Sequence, residues 1–214
     1  MRRMRLDHLS YAAGPAGLAA TTERLSELLG EKFVDGGVHP RFGTTNMILP
    51  LTASQYLEVV EVLDHPASDK AAFGQAVRAR SESGGGWLGW AVRVDDITKV
   101  ERRLGRKAVQ GNRHRPDGVE LRWRQIGLRG LRTDPQLPFF VQWLVPDALH
   151  PSAAATGHVA LCKLEIAGDP ARVASWLDTP PDYSTGGYGV EWVSGRAPGL
   201  VLASFSTPDG VVSF

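Results

Sequence analysis

Two stretches decide the fold, LDHLSYAA at residues 6–13 and WLGWAVRV at residues 87–94. Each is a strand-length run dominated by apolar and aromatic residues, and each leads into a segment of helical periodicity. After the first comes LAATTERLSELLG (18–30), where Leu18, Leu25, Leu28 and Leu29 fall on one stripe and Gly30 closes the helix. After the second comes DITKVERRLG (96–105), with Asp96 as N-cap, Ile97, Val100 and Leu104 on one face and Gly105 at the end. Strands are expected next at 32–38, 44–51 and 56–63 in the first segment, and near 107–112, at 118–128 and at 138–145 in the second. Both segments therefore read β-α-β-β-β. His8 aligns with Gly89, and Tyr56-Leu57-Glu58 with Phe140-Val141-Gln142, at offsets of 81 and 84 residues, which points to an internal duplication.

Outward from the two copies lies a third, shorter unit. VALCKLEIAG (159–168) reads as a strand, DPARVASWLD (169–178) as a helix with Asp169 as N-cap and Pro170 at its first position, and residues 200–214 as a hairpin. Its Pro208-Asp209-Gly210-Val211 repeats Pro116-Asp117-Gly118-Val119. Proline presets φ and glycine supplies the positive one, so each is a turn. The expected fold class is α+β, built from paired βαβββ modules with a third, partial βαββ module. The first module covers 1–65, a linker helix and glycine hinge 66–86, the second module 87–146 and the partial one 157–214.

With 43% hydrophobic and 22% charged residues in 214, the chain reads as a globule able to bury its own core. The single cysteine, Cys162, excludes a disulfide framework and a CxxC site. The basic start MRRMRLDHLS has no apolar stretch to make a signal peptide, and nothing approaches the ~18 apolar residues of a membrane span. A cytoplasmic protein without a membrane partner is expected. The net charge of +1 conceals a basic segment, in which Lys99–Arg132 carries 11 Lys or Arg against Glu101, Asp117 and Glu120. Clusters of this kind attract phosphates and other anions. The blander reading is a solvated face, and with only Trp123 interleaved no nucleic-acid partner is expected.

Other patterns fall away on context. Gly84–Gly89 fits GxGxxG but precedes a strand instead of joining strand to helix, so it is no dinucleotide site. No GxSxG elbow is present, and no histidine is placed to activate Cys162. His39, His65 and His150 each precede proline, which marks loops or strand ends and places them at the surface.

Paired β-α-β-β-β units with Asp7-His8 on the first strand, GTTN at 43–46, YLEVVEV at 56–62, the PDGVELRW hairpin at 116–123 and LPFFVQW at 137–143 resemble the vicinal oxygen chelate superfamily. The resemblance is nearest to its bacterial glyoxalase-like domain proteins and covers roughly residues 5–214. It implies that each unit curls into a cupped half-barrel, that the two cups enclose one site, and that metal ligands stand on the first and last strands of each unit. Carried onto this chain, those positions are His8, Glu58, Gly89 and Gln142. His8 and Glu58 make an imidazole–carboxylate pair for zinc, manganese, iron or nickel; Gln142 adds an amide oxygen and Gly89 nothing.

A non-haem iron dioxygenase needs a second histidine, and an amide at 142 cannot act as the base of a glyoxalase-type isomerisation. The resemblance then leaves metal-assisted lyase, isomerase or transferase chemistry on a small electrophilic or carbonyl compound. Equally open is a metal-free site that binds or sequesters a small molecule, as resistance members of the superfamily do, commonly as homodimers. There Arg93 or His8 would neutralise Glu58. In either case Asn46, Tyr56, Trp87, Phe140 and Arg93 are expected to line an aromatic, sparsely polar pocket.

Overall fold

The structure, a computed structural model, describes residues 5–153, 155, 157–179 and 188–214. The first segment folds as β1 (Arg5–Ala12), α1 (Gly17–Leu29), β2 (Val34–His39), β3 (Thr44–Leu51) and β4 (Gln55–Val62). Two helices, α2 (Pro66–Lys70) and α3 (Ala72–Glu82), fill the stretch expected to hold one. The second segment folds as β5 (Gly86–Arg93), α4 (Ile97–Leu104), β6 (Val109–His114), β7 (Glu120–Ile126), the short α5 (Gly130–Thr133) and β8 (Phe139–Trp143). The last unit holds β9 (Ala160–Ala167), α6 (Pro170–Leu177), β10 (Gly189–Val193), β11 (Gly199–Thr207) and β12 (Gly210–Ser213).

Local signals set the helix limits. The Asp96 side chain accepts from the Thr98 amide at 3.0 Å, and Gly105 ends α4 at φ 61°. Asp169 caps α6 through the Ala171 amide at 2.8 Å. Helix α1 has no side-chain cap of its own; instead Glu61, from β4, accepts from the Leu18 amide at 3.1 Å. Leu25 and Leu29 are buried, whereas Leu28 lies off the buried stripe and is exposed.

The eight strands of the two modules form a closed barrel in the order β1-β4-β3-β2-β6-β7-β8-β5, where the family resemblance implies two half-barrel cups. One seam, β1 against β5, is registered from Arg5–Arg93 to Ala12–Gly86. The opposite seam, β2 against β6, is registered at Val38–His114 alone. Within the modules His8 lies beside Tyr56, and Ala91 beside Phe139. Both equivalences are 83 residues apart, so the counterparts of His8 and Glu58 are Ala91 and Val141, not Gly89 and Gln142. The β1–β5 register skips between Leu6 and His8, leaving Asp7 as a bulge. Such a bulge lets neighbouring side chains meet that a regular strand would hold on opposite faces.

The last unit is not a shortened copy of a barrel module. Its sheet runs β10-β9-β11-β12, and β10 pairs parallel to β9, so β9-α6-β10 is a βαβ crossover. It covers the outer face of β5 and β8. Trp87 donates its indole N–H to the Phe214 carbonyl at 2.7 Å and stacks on the Phe214 ring at 5.4 Å. Phe140 meets Trp176 of α6 at 5.7 Å. No helix among the described residues is long and apolar enough to cross a membrane.

Candidate functional site

Period-2 alternation along β4 turns Tyr56 and Glu58 into the barrel, and along β8 it turns Phe139, Val141 and Trp143 inward. They line a cavity of about 30 Å³, together with His8, His39, Phe42, Phe73, Arg113, Trp123 and Gln125. That volume holds about two waters, and the cavity is only partly enclosed.

The first module supplies most of the polar wall. His8 Nε2 stands 3.7 Å from Glu58 Oε1, and the imidazole stacks on Tyr56 with centroids 4.5 Å apart. Ser10 donates to Glu58 Oε1 at 2.6 Å and the Asn46 amide to Oε2 at 2.8 Å. Burial alone would raise the Glu58 pKa, but the pull of His8 and the hydrogen bonds from Ser10 and Asn46 outweigh it and hold the carboxyl below its ordinary value. Burial also raises the Tyr56 phenol, which stays neutral.

Behind His8 the bulged Asp7 is fully buried. It faces His8 Nδ1 at 2.8 Å, Arg93 Nε at 2.8 Å, His150 Nε2 at 3.1 Å and the Trp143 indole at 3.2 Å. Burial would push its carboxyl up, yet hydrogen bonds from His150 and His8 hold it well below the usual range. With Asp7 ionised, His8 Nδ1 carries a proton and donates it to Oδ2. Nε2 is then the ring nitrogen that faces Glu58.

Two groups on this wall escape sequence reasoning. His39, expected at the surface, is 4% exposed and contacts Thr44 Oγ at 3.0 Å; burial drives its pKa to about 3, so the ring is neutral. Its only sequence signal, the following proline, marks the strand end correctly but says nothing of the face. Arg113 sits in the basic run yet is 3% exposed, and its Nε finds no hydrogen-bond partner. Burial lowers its pKa from the ordinary arginine value while Tyr56 and Glu58 pull it up. Gln125 lines the same wall; its Oε1 accepts from the Trp123 indole at 3.0 Å, but its Nε2 is an unpartnered donor. Alternation on β6 carries the signal for Arg113, since Gly111 and Arg113 are both buried.

The remaining sequence-predicted residues are placed elsewhere. Gln142 faces outward: Ile97 N donates to its Oε1 at 3.2 Å, and its Nε2 donates to the Asp95 carbonyl at 2.8 Å, which ties β8 to the start of α4. A one-residue shift in the assumed repeat is enough to reverse its face. The same shift turns Phe140 outward, and a skipped residue in the β1–β5 register between Ser10–Gly89 and Tyr11–Trp87 turns Trp87 outward; both pack against the last unit instead of lining the cavity. Arg93 binds Asp7 and the Ser54 carbonyl, not Glu58. Asn46 reaches the cavity only through Glu58. His150, expected at the surface, is buried against Asp7, and burial lowers its pKa.

The donor set does not match the metal centre that the resemblance implies. Among the described residues at the cavity, His8 and Glu58 approach each other and His39 is engaged by Thr44, both Glu58 oxygens already accept hydrogen bonds, and Ala91 and Val141 fill the counterpart positions. No group of three or more His, Cys, Asp or Glu among the described residues is arranged to hold an ion. Resident divalent metals ordinarily take three or four protein ligands.

The family model described as "Glyoxalase-like domain" matches residues 6–180. No curated protein matches the sequence significantly. Among solved structures, a hypothetical protein from Staphylococcus aureus superposes with a TM-score of 0.68 at 17% identity, covering 92% of this chain and 88% of that one. Methylmalonyl-CoA epimerase from Mycobacterium tuberculosis gives a TM-score of 0.43 at 16% identity, over 65% of this chain and 86% of that one. A single-substitution variant of the Streptomyces coelicolor epimerase, in complex with 2-nitronate-propionyl-CoA, gives 0.46 at 19% identity, over 66% and 98%.

Proposed function

We propose, because the chain belongs to the glyoxalase-like domain family of the vicinal oxygen chelate superfamily, that it is an enzyme moving a proton next to the carbonyl of a small oxyanionic compound. His8 is the base. Asp7 fixes its tautomer and leaves Nε2 free to take a proton from the substrate carbon. The positive charge that then forms on the imidazole lies 3.7 Å from the ionised Glu58. Negative charge developing on the substrate oxygen is met by Arg113 and the amide of Gln125, both buried donors. The observation that carries this reading is a buried guanidinium whose Nε has no acceptor, lining the same small cavity as a histidine whose Nδ1 is held by a buried carboxylate.

Proton NMR in D₂O tests it, with a panel of small 2-oxo and 3-oxo carboxylates as probes. Exchange of the carbon-bound proton is expected well above background, and His8→Gln is expected to slow it by about 10²–10⁴. No exchange across the panel, or exchange undiminished in His8→Gln, removes the proposal. The aromatic lining favours one second reading, a protein that binds the compound without turnover. Saturable binding in the absence of exchange would select it.

A further inference from the structure

Beside the cavity runs a second and much larger depression, about 1340 Å³ in volume. It is bounded by the β2–β3 turn, the α2–α3 junction, the chain after α4 and the segment after β7. Six cations line it: Arg41, Lys70, Arg106, Lys107, Arg129 and Arg132. No Asp or Glu does so, and none of the six forms an ion pair within the described residues. Arg132 touches the Gln75 amide oxygen at 3.3 Å and Arg106 lies over the Trp176 ring at 5.2 Å; neither contact neutralises charge. The floor, with Phe42, Ile126 and Leu128, is apolar. Phe42 and Gln125 belong to both the groove and the cavity, so the two adjoin across these side chains.

We propose that the groove receives the phosphorylated tail of the substrate whose reactive head enters the cavity, so that the substrate class is a small carbonyl compound joined to a di- or polyphosphate-bearing carrier. This rests on the proton-transfer reading for the head alone; the tail site stands on the groove. Four of the six cations are arginines, whose forked donors match phosphoryl oxygens. The charge density exceeds what a single carboxylate would need. A ligand with spaced anions and an organic portion satisfies cations and apolar floor together. A nucleic-acid backbone fits the charge but not the junction with a small, aromatic-lined cavity.

Calorimetric titration of the full chain with sodium tripolyphosphate at about 50 mM and about 300 mM NaCl provides the test. One saturable site is expected, weakened by salt as exposed charges require. Arg106→Gln/Lys107→Gln and Arg129→Gln/Arg132→Gln are each expected to lose at least about tenfold in affinity. Arg115→Gln/Arg122→Gln, in the same basic segment but outside the groove, is expected to stay within about twofold. His8→Gln is expected to bind tripolyphosphate like the unmodified chain, so failure of the head chemistry is seen separately from failure of the tail site. Absence of saturable binding, or an equal loss in the Arg115/Arg122 variant, overturns the proposal. A single strand of about 20 nucleotides that binds more tightly than tripolyphosphate and depends on the same four residues overturns it in favour of nucleic acid.

Discussion

Replacing His39 by glutamine gives a direct measure of how dry the cavity wall is. The ring is buried, and its pKa falls from 6.5 to about 3, mainly through desolvation, with Arg113 adding to the fall and Glu58 opposing it. A histidine held neutral in the folded state and free to protonate in the unfolded chain makes stability depend on pH in one direction. Above 6.5 neither state binds the proton and stability is flat. Between 6.5 and 3 only the unfolded chain takes it up, so stability falls as pH falls, by about 1.4 kcal/mol per unit. From about pH 6.5 to about 4.5 the loss is about 3 kcal/mol, a large share of the ~5–15 kcal/mol that holds a domain folded. His150, also buried and lowered, adds to the slope in the same direction. Glutamine can keep a hydrogen bond to Thr44 but carries no titration. Urea unfolding followed by tryptophan fluorescence, in half-unit steps from about pH 7.5 to about 4.5, should therefore show His39→Gln with a shallower slope than the unmodified chain, by about 1.4 kcal/mol per unit. Parallel curves would refute the burial argument.

Two further substitutions probe the parts that place the site. Asp7→Asn removes the countercharge of a largely buried Arg93 and should cost about 3–5 kcal/mol in chemical denaturation, with part recovered in the double variant Asp7→Asn/Arg93→Met. Full additivity of the two would show that the pair does not interact. Gly37→Ala places a Cβ against the His114 carbonyl at φ 103°, a backbone contact across the weaker barrel seam. A loss of at least about 2 kcal/mol is expected, and an unchanged unfolding midpoint would show the seam to be slack.

Particular elements show why some of this is legible in sequence. Asp96, Gly105, Asp169 and Pro170 act through the backbone beside them, so their meaning travels with local sequence. His8 and Glu58 can be picked out because the family resemblance points to the first and last strands of each unit, and the structure brings both to one cavity. The second-copy positions go astray because the assumed offsets of 81 and 84 differ from the true 83: the one-residue error turns Gln142 outward, while the two-residue error leaves Gly89 on the face of Ala91 but two residues along the strand. Trp87 and Phe140 read as inward-facing since an aromatic residue looks the same whichever sheet it packs on; the covering last unit decides the matter. Arg113, His39 and His150 do not stand out, because their burial depends on closure between segments far apart in the chain.

The duplicated barrel has unequal edges. One is stitched along the whole length of β1 and β5, the other at Val38–His114, with the cavity groups His39 and Arg113 on the very strands that meet there. A shell joined in this way behaves as a clam, with a spine on one side and lips on the other. With so little holding the lips together, they are the part of the shell expected to part most readily. Slow amide exchange along the spine and fast exchange beside the lips would be the signature of such breathing.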